Sequence, residues 1–298
     1  MRPAWSVILL TTLIGAGQGL FIALVTVEFF FTAGKGFFVV GAVLSLLLLA
    51  AGLTASFFHL GHPERAWRSA AKWRTSWLSR EVIVLPAFMA AVLAWGVAHA
   101  LGWPTLAFAA AGALLALALY VCTAMIYACL PFLQEWHSPL TVVNYLALGC
   151  ASGFSLAAAY SSWMAPQLAA VLTVAALCWT LLGFATRGAS LARNARLKAR
   201  SSPQSAIGVK HPRIAQKAQG AIAGSFNTRE FFHGRSAALL RSVKWGFLLA
   251  AFVLPAALLA AGSPAAAFIV QFAGLMAERW FFFAQANHPQ NLYYQAVS

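Results

Sequence analysis

Eight stretches of this 298-residue chain run for about 20 residues or more almost without charge, the length a helix needs to cross the hydrocarbon core of a bilayer. They cover 5–31, 37–60, 81–101, 104–127, 139–160, 165–186, 243–261 and 264–284. Each is continuously apolar, with none of the inside–outside alternation of a barrel strand, so each reads as a helix. The fold class this dictates is an all-α polytopic membrane protein with eight transmembrane helices, forming a single anchor domain over residues 1–298. The first run follows Arg2 as a signal peptide would. At about twice the usual apolar length of such a leader, it reads as a retained helix.

Turn-forming residues fall between the runs. Gly34 and Gly36 separate the first pair, and Gly102-Trp103-Pro104 the third from the fourth. Ser138-Pro139 and Ser263-Pro264 each offer an N-cap followed by proline at the first helical position. Gly15 with Gly19, and Gly149 with Gly153, have the small-xxx-small spacing that lets helices approach closely. Gln18, Asn144 and Gln271 are amides inside apolar runs; they read as interhelical hydrogen-bonding groups, with quinone contact as the minority alternative.

Charge gives the orientation. The chain has 20 Lys and Arg, 6 Glu and no Asp. With eight helices, 19 of the 20 basic residues fall on the face that carries both termini, and only Lys35 on the other. By the positive-inside rule that face is cytoplasmic. The basic connections span about 61–80 and 187–242. So few carboxylates argue against a soluble enzyme built on carboxylate chemistry. The charge alone would allow nucleic-acid binding by the second connection, but its confinement to short stretches between membrane runs makes it a topology signal, and no nucleic-acid partner is expected.

Ionisable groups at membrane depth are costly and so mark function. His59 ends the second run, Glu81 opens the third, and Glu278 lies about two turns from the end of the last, roughly 10 Å below the surface. All three share the cytoplasmic third of the membrane, and Arg65, Arg68 and Arg80 lie in the connection joining two of them. Glu28 stands on the opposite side. A histidine and carboxylates near arginines suit a reaction that moves protons with electrons, as quinone–quinol exchange does. Histidine titrates near neutrality, and a carboxyl group withdrawn from water moves toward it. Simpler readings remain open: an interfacial cap for His59, an ion pair with Arg80 or a first-turn dipole partner for Glu81, and an assembly role for Glu278 and Arg279. The histidines sit at helix ends or in loops, which argues against a bis-histidine haem. Cys122, Cys129, Cys150 and Cys178 form no C-x-x-C pair and read as packing residues rather than metal ligands. The ending Phe281-Phe282-Phe283, then His288-Pro289-Gln290-Asn291 and Tyr293-Tyr294, reads either as packing over a cytoplasmic opening or as docking a partner.

The segment Phe58-His59-Leu60-Gly61-His62-Pro63-Glu64-Arg65-Ala66-Trp67, followed by Ser76-Trp77-Leu78-Ser79-Arg80-Glu81, resembles the membrane-anchor subunit of dimethyl sulfoxide reductase-type molybdenum enzymes over essentially the whole chain. The resemblance implies a haem-free anchor that exchanges electrons with a membrane quinone, menaquinone or ubiquinone. It implies two partners: a four-cluster iron–sulfur subunit and a catalytic subunit holding molybdopterin. The family's important histidine falls on His59, its glutamate on Glu81, and the acidic residue of the last helix on Glu278, with Arg65 in support and Arg68, Arg74 and Arg80 as docking residues. One departure is that Arg279 follows Glu278 directly, where the family places glycine and arginine a few residues on. The basic loops and the Glu-Arg-Trp and His-Pro-Gln-Asn-Leu-Tyr-Tyr ending are more similar to the anchors of cytoplasmic sulfite-oxidising complexes. The expected role is therefore quinone reduction coupled to sulfite oxidation at the inner membrane. The alternatives are a quinol-oxidising anchor of a sulfoxide or N-oxide reductase, a transporter, and a purely structural anchor; broken helices with midplane polar groups, which a transporter needs, are sparse.

Overall fold

A computed structural model describes residues 3–58, 60–198, 202–214 and 237–288. Among them, eight helices are long and apolar enough to cross a membrane. These are α1 (Trp5–Phe30), α2 (Lys35–Phe57), α3 (Trp77–Leu101), α4 (Leu106–Ala128), α5 (Pro139–Met164), α6 (Pro166–Ala195), α7 (Ala237–Ala260) and α8 (Pro264–Ala284). The expected all-helical architecture with eight candidate spans holds, with four boundaries moved by four residues or more, the end of α5 running on from 160 to Met164 among them. Helix α3 starts four residues before Glu81, because Ser76 caps it by accepting from the Ser79 amide at 3.3 Å. Helix α6 continues past Thr186 to Ala195, so Arg187 lies inside it and not in a loop. The described part of helix α7 already starts at Ala237, six residues before the expected start. The 2–3 connection folds into an exposed 3-10 helix over Pro63–Lys72.

The helices form two four-helix halves. Helices α1–α4 pack in chain order around one half, and α5–α8 around the other; α1 and α5 are the most buried and join the halves. The glycine pairs explain this seam. A Cβ on Gly153 would overlap the Gly19 backbone, and one on Gly19 would overlap the Gly149 carbonyl. Only glycine lets the two backbones meet there. Tyr120 on α4 then reaches across to donate to the Gly15 carbonyl at 2.8 Å. The amides also join helices: Gln18 donates to Ala116 O at 2.8 Å, while Gln271 donates to Thr180 Oγ1 at 2.9 Å and accepts from Ser155 Oγ at 2.7 Å. Each supplies a partner that lipid does not provide.

Proline gives α7 its irregularity. Pro255 has no amide hydrogen, and the turn before it (Leu249–Val253) widens to a π-helix, a common answer to an interrupted hydrogen-bond ladder. Gly274 of α8 packs into this bulge, where a Cβ would overlap the Ala250–Ala251 backbone. Ser138 caps α5 as expected, accepting from the Leu140 amide at 3.2 Å. Ser263 makes no such side-chain bond. There the turn is made by Gly262 at φ +75°, a left-handed conformation glycine adopts without penalty.

The end of the bundle that carries the two basic connections is covered by the 4–5 connection. Leu133 and Trp136 are buried in it. The Trp136 indole donates to Phe282 O at 2.8 Å and stacks on the Phe282 ring. The last turn of α6 clamps the same connection: Arg193 donates to Gln134 O and His137 O, and Asn194 to Glu135 O. Phe281, Phe282 and Phe283 are all buried, so this part of the C-terminal aromatic run is packing. His288 lies against Phe132, and residues 289–298 are outside the described residues.

Candidate functional site

Two buried polar clusters occupy the basic end. The first is built on Glu81. Because α3 begins at Trp77, Glu81 is the fifth residue of the helix and lies about 6 Å deeper than a residue that opened it would. It is 7% exposed, and the Thr123 hydroxyl of α4 donates to its Oε1. It neither pairs with Arg80 nor sits in the first turn. Arg80 turns outward, donates to Trp73 O and Arg74 O at 2.9 and 2.8 Å, and lies over the Trp77 ring. Glu81 instead faces a cavity of about 20 Å³ lined by Thr11, Gln18, Tyr120, Thr123, Tyr145 and Arg279.

The second cluster is an ion triad. Arg187 Nε lies 2.7 Å from Glu278 Oε1, and Arg279 Nη1 lies 3.6 Å from Glu278 Oε2. Exposure is 1% for Glu278, 2% for Arg187 and 5% for Arg279. The guanidiniums are further held by aromatic faces: Arg279 lies 3.8 Å over Tyr145, and Arg187 between Phe247 and Phe281. Two cations face one anion, so the cluster keeps an excess positive charge in a low-dielectric setting, which is costly unless each polar group finds a partner. Not all do: Arg187 Nη2 and Asn144 Oδ1 have no protein hydrogen-bond partner. Both residues line a second cavity of about 10 Å³, with Glu278, Ser190, Arg193 and Glu135.

The structure thus brings Glu81 and Glu278 to one end of the bundle but into neighbouring cavities. Tyr145 and Arg279 line both. Arg65 is elsewhere: its side chain is 57% exposed on the 3-10 helix, 3.6 Å from Glu64, which also pairs with His62 at 3.0 Å. Arg68 and Arg74 lie over Trp67 and Trp73 on the same exposed connection. His59 is outside the described residues. Sequence reasoning passed over Thr123, Tyr145 and Arg187. For Arg187 a signal existed: Thr180, Gly183, Arg187 and Ser190 continue the buried face of α6 at helical spacing past the last apolar run.

The donor chemistry around Glu81 suits a quinone carbonyl, with hydroxyls and a guanidinium at hand. The volume suits only a water or a single oxygen, since one water needs roughly 10–15 Å³ by this measure. A quinone ring does not fit inside it.

Comparison with known proteins agrees with this architecture. The family model described as DMSO reductase anchor subunit (DmsC) matches residues 1–284. The chain belongs to that family. This makes it a multi-pass membrane anchor subunit of an oxidoreductase complex, with catalytic and electron-transfer partners. The anchor chain is also 55% identical, over 325 aligned positions covering 100% of both sequences, to a sulfite dehydrogenase subunit from Allochromatium vinosum.

Proposed function

We propose that this anchor passes electrons from a sulfite-oxidising molybdopterin subunit, through an iron–sulfur subunit, to membrane quinone at the basic end of the bundle. The single observation that carries the site assignment is the buried Glu81 carboxyl, facing a cavity of about 20 Å³ lined by both polar and apolar side chains at the basic end of the bundle. The sulfite half of the reading is supported by the full-length similarity to the Allochromatium vinosum sulfite dehydrogenase subunit.

A quinone supplies two-electron, two-proton redox chemistry; the chain's own part is to position it and to move the protons. Glu81 holds and delivers a proton, with Thr123 fixing the carboxyl. Because the cavity excludes a ring, the headgroup sits outside it, with His59, which follows α2 in the sequence, as the second hydrogen-bonding group. Arg65 and Glu278 support the site from outside the Glu81 cavity: Arg65 by charge near the headgroup, Glu278 by fixing Arg279. The 19-to-1 distribution of basic residues supports placing this face in the cytoplasm of an inner membrane, and the exposed Arg68, Arg74 and Arg80 give the iron–sulfur subunit a cationic surface to dock on.

Turnover of the assembled complex tests the reading. It predicts reduction of added quinone by sulfite, and a loss of that activity and of quinone-analogue binding in His59→Ala. Activity only with quinol and a sulfoxide or N-oxide would reverse the direction of flow. Unchanged analogue binding in His59→Ala would remove that residue from the site.

A further inference from the structure

Quinone chemistry at a closed aromatic lid needs a way for protons to reach it, and the second cavity is placed to provide one. Glu135 lies on the 4–5 connection at the basic end, half-buried, its carboxylate accepting from the Asn287 amide at 3.3 Å. It lines the same cavity as Arg193, Ser190, Asn144, Arg187 and Glu278. Tyr145 and Arg279 are then common to that cavity and to the one faced by Glu81. Each cavity has room for about one water. The groups a water needs are present and unclaimed: Asn144 Oδ1 accepts and Arg187 Nη2 donates, both fully buried and without a protein partner.

We propose that Glu135, one water in each cavity and Tyr145 form the proton route between the basic face and Glu81, with Glu278 lining it. This rests on the quinone reading above. A proton taken up by the Glu135 carboxylate passes to the first water as the Glu135 O–H bond breaks. As it takes that proton, the first water gives one of its own to the Tyr145 oxygen, while the Tyr145 O–H bond breaks and donates onward to the second water; Glu278 lines the path and takes no proton. That water protonates the Glu81 carboxylate. Each group gains one proton and gives one, and the net change is one proton moved from bulk water to Glu81. The arginines do not relay, because guanidinium does not give up its proton in proteins. Arg187 and Arg279 hold Glu278 from both sides, and Arg279 packs on the face of the Tyr145 ring. The guanidinium excess opposes a proton coming to rest between the carboxyl groups, so the segment passes protons without storing them. Burial pushes the Glu135 carboxyl above its ordinary range, against the opposing pull of backbone amides and Arg193; a carboxyl displaced toward neutrality is suited to exchanging protons with water.

Two measurements on the assembled complex test the route. In X-ray hydroxyl-radical footprinting, water beside a buried ring makes that ring reactive. Tyr145 is expected to be modified well above Tyr160, an equally buried tyrosine that lines neither cavity; equal, negligible modification of both would overturn the wetted path. In steady-state kinetics, Glu135→Gln and Tyr145→Phe are expected to lower kcat about tenfold or more, with quinone KM and quinone-analogue affinity within about twofold of wild type, and Glu135→Asp to recover most of the rate. Unchanged kcat in both variants, with analogue binding intact, would overturn the route and leave the quinone site standing. Failure of the wild-type complex to bind the analogue would overturn both.

Discussion

Each end of the bundle holds a glutamate, half-buried at Glu28 and buried at Glu81 and Glu278, and the two ends treat it differently. At the end away from the basic connections, Glu28 is fully engaged. The Trp95 indole donates to its Oε2 at 2.8 Å, the Thr105 hydroxyl to its Oε1, and His99 Nε2 lies 3.3 Å from Oε1. The His99 ring is stacked on Phe38 and edge-on to Trp95. Neither cavity described above touches this carboxylate. At the basic end Glu81 has a hydroxyl partner and an adjoining cavity, and Glu278 sits in a triad with unequal charge and orphaned donors beside it. The first arrangement is what helix assembly asks for: a carboxylate held by two hydrogen bonds and a nearby imidazole, with neither cavity beside it. The second leaves space and unused hydrogen-bonding capacity, as a site that exchanges protons requires. Burial of an acid is therefore not the sign of function here. Neither is an unpartnered atom, since His99 Nε2 beside Glu28 lacks a hydrogen bond as Arg187 Nη2 beside Glu278 does; the adjoining cavity is what sets the basic end apart.

Mutations at the two ends break or sharpen this contrast. The largest effect is expected for Glu278→Ala, which strands two guanidiniums in the bundle and should cost about 3–5 kcal/mol of stability, read as a lowered unfolding temperature in detergent. A milder loss in the triple change that also makes Arg187 and Arg279 apolar would confirm that unpaired charge, not packing, is the cause. Next, Glu81→Gln keeps an acceptor for Thr123 and should leave stability unchanged, while quinone-coupled turnover falls about 10²-fold, equivalent to about 2.7 kcal/mol in the barrier. Glu28→Gln should show the reverse: turnover within about threefold of wild type and a loss of about 1.5 kcal/mol, from weakening hydrogen bonds to a charged acceptor. If Glu28→Gln slowed turnover as much as Glu81→Gln, the contrast between the ends would collapse. The smallest effect is expected for Arg68→Glu with Arg74→Glu. Both side chains lie on an exposed connection, so complex assembly should weaken by about 1 kcal/mol per site or less, and more at low salt than at high.

Much of the fold was legible because apolar length has a single reading in a bilayer. The small-xxx-small glycines mark α1 and α5 as helices that can approach a neighbour closely, and the packing shows that they meet each other. The amide hydrogen bonds followed from the need to satisfy polar groups in lipid. The ends of helices were harder. The apolar run places the start of α3 at Glu81; it is the Ser76 cap that moves the start back a turn and carries the glutamate inward. Arg187 looked like the first residue of a basic loop, since an arginine ends an apolar run unless a buried partner awaits it, and Glu278 lies 91 residues away in sequence. The candidate site was legible in its acids and not in its connections. Tyr145 is one aromatic residue among many until the packing places Arg279 on its ring.

The central claim is that quinone exchange belongs to the basic end and depends on Glu81. Its most direct test is fluorescence titration of a quinol analogue against the assembled complex carrying wild-type, Glu81→Gln or Glu28→Gln anchor. The account predicts stoichiometric binding that is retained in Glu28→Gln and lost or weakened at least about tenfold in Glu81→Gln. Equal affinity in all three complexes, or loss in Glu28→Gln alone, would contradict it.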